Sequence, residues 1–78
     1  MNQLVTTLTR TDSEEIRFEI REWKGRDFLD IRVYSRLGQG EEKFPTGKGV
    51  SIPLTEFQAF KEALTDAEKI LKEGRRPE

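Results

Sequence analysis

The chain has 78 residues, 14 Lys and Arg against 15 Asp and Glu for a formal net charge of -1, and neither cysteine nor histidine. One domain with a thin core fits that length, and the missing residue types exclude disulfides, thiolate metal sites and a histidine general base. The remaining carboxylates, lysines and serines stand in no catalytic spacing, no apolar run approaches membrane-spanning length, and nothing resembles a signal peptide, so the expectation is a soluble cytoplasmic protein that is not an enzyme and has no cofactor, metal, membrane or small-molecule partner.

In chain order, residues 1–13 are Thr-rich and weakly patterned, and they read as a flexible arm with at most a short extended piece at residues 4–8. The domain proper is expected over 14–73. Its first strand spans about 15–23 and its second about 27–36, joined by a tight turn at Lys24-Gly25. Gly38 and Gly40 among polar neighbours mark a loop. Lys43-Phe44 reads as a short third strand and Val50-Ser51-Ile52 as a short fourth, with Pro45 at an edge or bend and Gly47 and Gly49 permitting a turn or bulge. The firmest element is a helix from Thr55, an N-cap with Gln58 three residues on. Phe57, Phe60, Ala63, Leu64, Ala67, Ile70 and Leu71 recur along it at helical spacing, and Gly74 is its stop. The tail over 74–78 is expected to be disordered. The fold class is therefore α+β: a four-stranded antiparallel sheet followed by one long C-terminal amphipathic helix.

Successive strand residues point to opposite faces. Ile16, Phe18 and Ile20 share a face with each other, as do Leu29, Ile31 and Val33. The other face carries Arg17, Glu19, Arg21 and Trp23 from one strand and Phe28, Asp30, Arg32 and Tyr34 from the next. Guanidinium groups suit phosphates and flat rings suit bases, so this face has what a single nucleic-acid strand needs. A merely solvated face, with ordinary cross-strand charge pairs, is the competing reading. Gly47-Lys48-Gly49 likewise reads either as a phosphate contact or as a turn with an exposed lysine; it lacks the spacing of a nucleotide-hydrolysis loop.

The helix stripe is too wide for so small a sheet to cover. Burial at about 25 cal/mol per Å² is offset by an ordering cost of about 1.5 kcal/mol per residue, so a second copy is the expected source of further burial. Phe57, Phe60, Leu64, Ile70 and Leu71 are the candidate dimer-interface residues.

The order of these pieces resembles the positive cofactor four family, the p15-type transcriptional coactivators with bacterial members. Ile20-Arg21-Glu22-Trp23-Lys24-Gly25, Asp30-Ile31-Arg32, Gly47-Lys48-Gly49-Val50-Ser51-Ile52 and the helix from Thr55 carry the resemblance over residues 15–72. It implies a homodimer with paired helices whose curved sheets bind single-stranded DNA without sequence preference. By resemblance Trp23 is the base-stacking aromatic, Arg21 the basic residue before it, Lys24 and Arg26 the basic turn, Arg32 the arginine of the Asp-Ile-Arg triplet and Lys48 the lysine before the last strand. Phe57 is the large aromatic that packs the helix. A second stacking tryptophan of the human-type pattern is Ser35 here, with Tyr34 and Phe44 as candidates to substitute. The basic, serine-rich arm of eukaryotic members has no counterpart. The full candidate nucleic-acid set is Arg17, Arg21, Trp23, Lys24, Arg26, Arg32, Tyr34, Lys43, Phe44 and Lys48. The residues leave RNA open beside DNA. The alternative function is a dimeric protein-interaction module with a solvated polar face.

Overall fold

The computed structural model describes residues 2–74. Four strands, β1 (Gln3–Thr9), β2 (Glu14–Trp23), β3 (Arg26–Arg36) and β4 (Lys43–Pro53), form one antiparallel sheet in the order β1-β2-β3-β4. A short 3-10 turn (Leu54–Glu56) then leads into a single helix, α1 (Phe57–Lys72).

The central hairpin follows from its sequence. Lys24 and Gly25 both take positive φ, 52° and 76°, the conformation of a two-residue turn whose twist matches the strands it joins. Trp23 therefore pairs with Arg26, and the register runs without slip to Glu14 opposite Ser35. Ile16 faces Val33, Phe18 faces Ile31 and Ile20 faces Leu29, so the apolar side chains gather on one face as alternation requires.

Two expectations are corrected. The arm expected to be flexible is an edge strand: β1 pairs with β2 from Gln3 opposite Ile20 to Thr9 opposite Glu15. Thr and Val favour extended backbone. A bulge between Leu4 and Thr6 hides the strand from a period-two reading, because it sends Leu4 to the face of Glu19 and Leu8 to the face of Ile16. The turn that follows is held by Thr11, whose Oγ1 accepts the N–H groups of Ser13 and Glu14 at 3.1 Å each. Second, the separate third and fourth strands are one strand. β4 pairs with β3 at both ends and bulges opposite Val33. Thr46 secures that bulge, its hydroxyl donating to the Val33 carbonyl at 2.8 Å and accepting the Lys48 N–H at 3.1 Å.

The helix starts later than expected. Pro53 and the 3-10 turn precede it, and Glu56 stands at its N-cap without a side-chain cap, so Thr55 and Gln58 form no capping box. Gln58 instead donates to Glu62 at 3.1 Å. Its end is as expected: Gly74 takes φ 75° and donates its N–H to the Leu71 carbonyl at 3.1 Å. The remainder of the tail expected to be disordered lies outside the described residues.

No residue of α1 is buried, and the helix meets the sheet only sparsely. The buried apolar residues are Val33, Tyr34 and Ile52. The radius of gyration is 15.2 Å, against about 11.5 Å for a compact chain of this length. The accessible surface is 6545 Å², against about 4,900 Å² for a compact monomer of this mass.

Candidate nucleic-acid interface

The polar face of the sheet is built from alternate residues of β2 and β3, and its charges come in a repeated pattern. Glu15 and Arg17, Glu19 and Arg21, and Asp30 and Arg32 are each two apart on a strand, so each acid and base stand side by side. Arg17 Nε meets Glu15 Oε2 at 2.6 Å, and Arg21 Nη2 meets Glu19 Oε1 at 2.8 Å. Arg32 grips Asp30 with two donors, at 2.8 and 3.1 Å. Arg17 and Arg32, directly opposite across the hairpin, are thereby each compensated by their own carboxylate.

Asp30 is the electrostatic centre. Only 3% exposed, it also accepts from Ser51 Oγ at 3.4 Å and lies 3.7 Å from Arg21 Nε. Hydrogen bonds from Arg32 hold its carboxyl below the ordinary 3.8, against the opposing effect of burial. A hydrogen bond from Arg17, with Lys43 adding its charge at 3.6 Å, likewise lowers Glu15 from 4.5 although burial opposes it. Burial works against the charge on Arg21, but Glu19 and Asp30 outweigh it and raise that pKa.

Arg32 has a third tie, donating from Nη1 to the Thr46 carbonyl at 3.0 Å. The guanidinium crosses over β4 at Gly49, and a side chain there would not fit. A Cβ at Gly49 would stand 2.6 Å from the Ile31 carbonyl oxygen, 3.0 Å from Arg32 Cα and 3.2 Å from Arg32 Cζ. Gly49→Ala is expected to lower stability by about 1–3 kcal/mol, as overpacking does. A urea midpoint equal to that of the parent protein would show that β4, as an edge strand, relaxes around the methyl group.

The expected site residues fall into four groups. Trp23, Lys24 and Arg26 gather at the hairpin tip, where Trp23 is 66% exposed and Lys24 Nζ lies 4.6 Å from the centre of its ring. Lys48 sits exposed on the bulge of β4. Lys24, Arg26 and Lys48 join no ion pair among the described residues. Arg17, Arg21, Arg32 and Lys43 are on the same face but engaged by carboxylates. Tyr34 and Phe44 do not join the surface as expected. Tyr34 is 7% exposed, with the Arg17 guanidinium 4.0 Å above its ring. Phe44 pairs with Ser35 and so lies on the opposite face, with Val33.

Two adjoining hollows, about 500 Å³ each, cross the polar face. They share Arg21, Phe28 and Ser51, and together they lead from Trp23 and Arg26 at the tip to Pro45 and Thr46. Phe28 is the lining aromatic that sequence reasoning left out of the site. Alternation had put it on this face, and that was the available signal.

A four-stranded open sheet with a polar, arginine-bearing face, an aromatic hairpin tip and one C-terminal helix defines a small class of sheet-faced nucleic-acid-binding domains. The chain belongs to the Transcriptional Coactivator p15 (PC4) family, whose sequence model matches residues 11–63. Proteins of this family bind DNA and are not enzymes. No curated protein sequence matches the chain. Among solved structures it is similar to the PC4 homologue from Burkholderia pseudomallei K96243. The tetragonal form is 20% identical over 87% of this chain and 98% of that one, with a TM-score of 0.77; the orthorhombic form is 21% identical over 86% and 89%, with a TM-score of 0.76. At that identity the likeness speaks for the fold. It is also similar to the bacteriophage T5 homologue of the eukaryotic transcription coactivator PC4, a protein implicated in recombination-dependent DNA replication. That relative is 31% identical over 92% of this chain and 85% of its own, with a TM-score of 0.59.

Proposed function

We propose that the chain is a homodimer that binds single-stranded DNA without regard to sequence. The observation that carries the binding reading is the hairpin tip: a tryptophan two-thirds exposed, with Lys24 over it and Arg26 paired to it, at the mouth of a groove. An exposed ring stacks on any base, and cations beside it take the flanking phosphates. The helix bears no basic reading face for a duplex groove.

The dimer reading rests on surface. The chain exposes about 1,600 Å² more than a compact monomer of its mass. That excess per chain matches an obligate homodimer interface, about 2,000–5,000 Å² in total. The apolar stripe of α1 and the apolar face of the sheet are the surfaces available for it.

The chain's single tryptophan makes the test direct. Trp23 fluorescence is expected to quench on adding oligo-dT, and the matching duplex should compete poorly. Trp23→Ala should weaken binding by about 1–3 kcal/mol with an unchanged salt slope. Neutralising Lys24, Arg26 or Lys48 should reduce the log-log salt slope by about 0.7 each. Duplex competing as well as single strand would defeat the stacking argument. The carboxylate-paired arginines favour one second reading, a protein-docking face. In that case oligo-dT would leave the fluorescence unchanged.

A further inference from the structure

The groove at the hairpin tip has a second aromatic wall. Phe28 stands on β3 directly opposite Arg21, and one diagonal step from Trp23, whose own partner is Arg26. Diagonal neighbours across an antiparallel pair lie about 7–8 Å apart, close enough for aromatic side chains to cooperate. A base held between two rings needs them about twice the 3.4 Å base-stacking spacing apart, a gap that two aromatic side chains rooted at diagonal positions can span. Phe28 is half-buried and lines both hollows, while Trp23 lines the one at the tip. Arg26 lines that same hollow and is exposed.

We propose that Phe28 and Trp23 are the two walls of a slot that takes one base of a single strand, with Arg26 on the adjoining phosphate. The inference rests on the single-strand reading above and adds a residue and a geometry to it. It also gives the second ring a place on the chain. Ser35 has no ring to offer, Tyr34 is covered by Arg17 and Phe44 faces the other way. Because each base has two π faces, a slot between rings is indifferent to sequence, in keeping with binding that does not read bases.

The test compares oligo-dT with an abasic strand carrying the same number of phosphates. Phe28→Leu is expected to weaken oligo-dT binding about 5- to 100-fold, as loss of one stacking partner does, and to leave the abasic strand and the salt slope unaffected. Phe28→Tyr should bind as the parent does. Combining Phe28→Leu with Trp23→Ala should cost less than the product of the two single effects, because each removes the same sandwiched base. In the unaltered protein bound to oligo-dT, nuclear Overhauser contacts are expected between thymine methyl protons and the Phe28 ring. That measurement decides the matter even where Phe28→Leu fails to fold. Normal oligo-dT binding by a folded Phe28→Leu variant overturns the slot while leaving single-strand binding intact, and so does the absence of those contacts in a saturated complex. A parent protein that binds neither strand fails the single-strand reading itself, and the slot with it.

Discussion

A chain carrying Leu64→Glu and Leu71→Glu is expected to sediment as a 9.1 kDa monomer and to lose its cooperative unfolding transition. Both leucines lie on the stripe begun by Phe57 and Phe60, and Leu71 is 70% exposed in the single chain. Burying such a side chain contributes about 1.5–3 kcal/mol, and a twofold interface presents each of them twice. The whole stability of a small domain is about 5–15 kcal/mol, so four glutamates in the proposed interface would remove most of it. The sheet alone cannot make up the loss, since Val33, Tyr34 and Ile52 are its buried apolar residues. Sedimentation velocity with thermal unfolding reads both effects. A double variant that remains dimeric and melts normally would move the interface off the helix.

Arg32→Ala is expected to act first on the fold, with a loss of about 3 kcal/mol, because it leaves Asp30 buried without its principal partner. The dependence on pH gives the signature. Asp30 and Glu15 have carboxyl pKa values lowered in the folded protein. Their stabilising contribution is therefore complete above the ordinary values of 3.8 and 4.5 and is lost as pH falls through the folded ones. The parent protein should begin to weaken as pH falls below about 4.5. Without Arg32, less offsets burial at Asp30, so its folded pKa rises relative to the parent's, and the variant's deficit should be greatest at neutral pH and narrow as Asp30 protonates in acid. Urea midpoints at pH 7, 5 and 4 follow this shift. Arg32→Lys restores the charge but not the two-pronged grip, and should recover only part of the stability. If Arg32→Ala kept the parent midpoint and lost only salt-dependent DNA binding, Arg32 would be the phosphate ligand that the family resemblance implied.

The hairpin from Glu14 to Arg36 was legible because its side chains alternate without interruption and its turn has the glycine that a positive φ favours. The helix was legible by its stripe, though its start was obscured by the 3-10 turn that Pro53 introduces. The outer strands were not legible, each for a local reason. The bulge at residues 4–6 breaks the alternation of β1, and Pro45, Gly47 and Gly49 make β4 look discontinuous. Gly49 is there for close approach rather than for a turn, which sequence cannot distinguish.

At the candidate site, face membership could be read but accessibility could not. Trp23 and Tyr34 share a face in the alternation, yet one projects from a hairpin tip and the other lies under Arg17. The pairing of the arginines was written in the sequence as Glu-Ile-Arg at residues 15–17 and 19–21 and Asp-Ile-Arg at 30–32. Acid and base two apart on a strand must stand together.

That interleaving of acids with bases has a kinetic consequence. Charges that cancel over a few ångströms project little field beyond about 8–10 Å at physiological ionic strength. A strand approaching the centre of the sheet is thus barely steered, and the attraction it meets comes from the unpaired cations Lys24, Arg26 and Lys48. Capture would then start at the hairpin tip and the β4 bulge, while residence would be set by stacking there. Under the proposed single-strand binding, association would be slower than for a face of uncompensated cations and would depend chiefly on those three side chains.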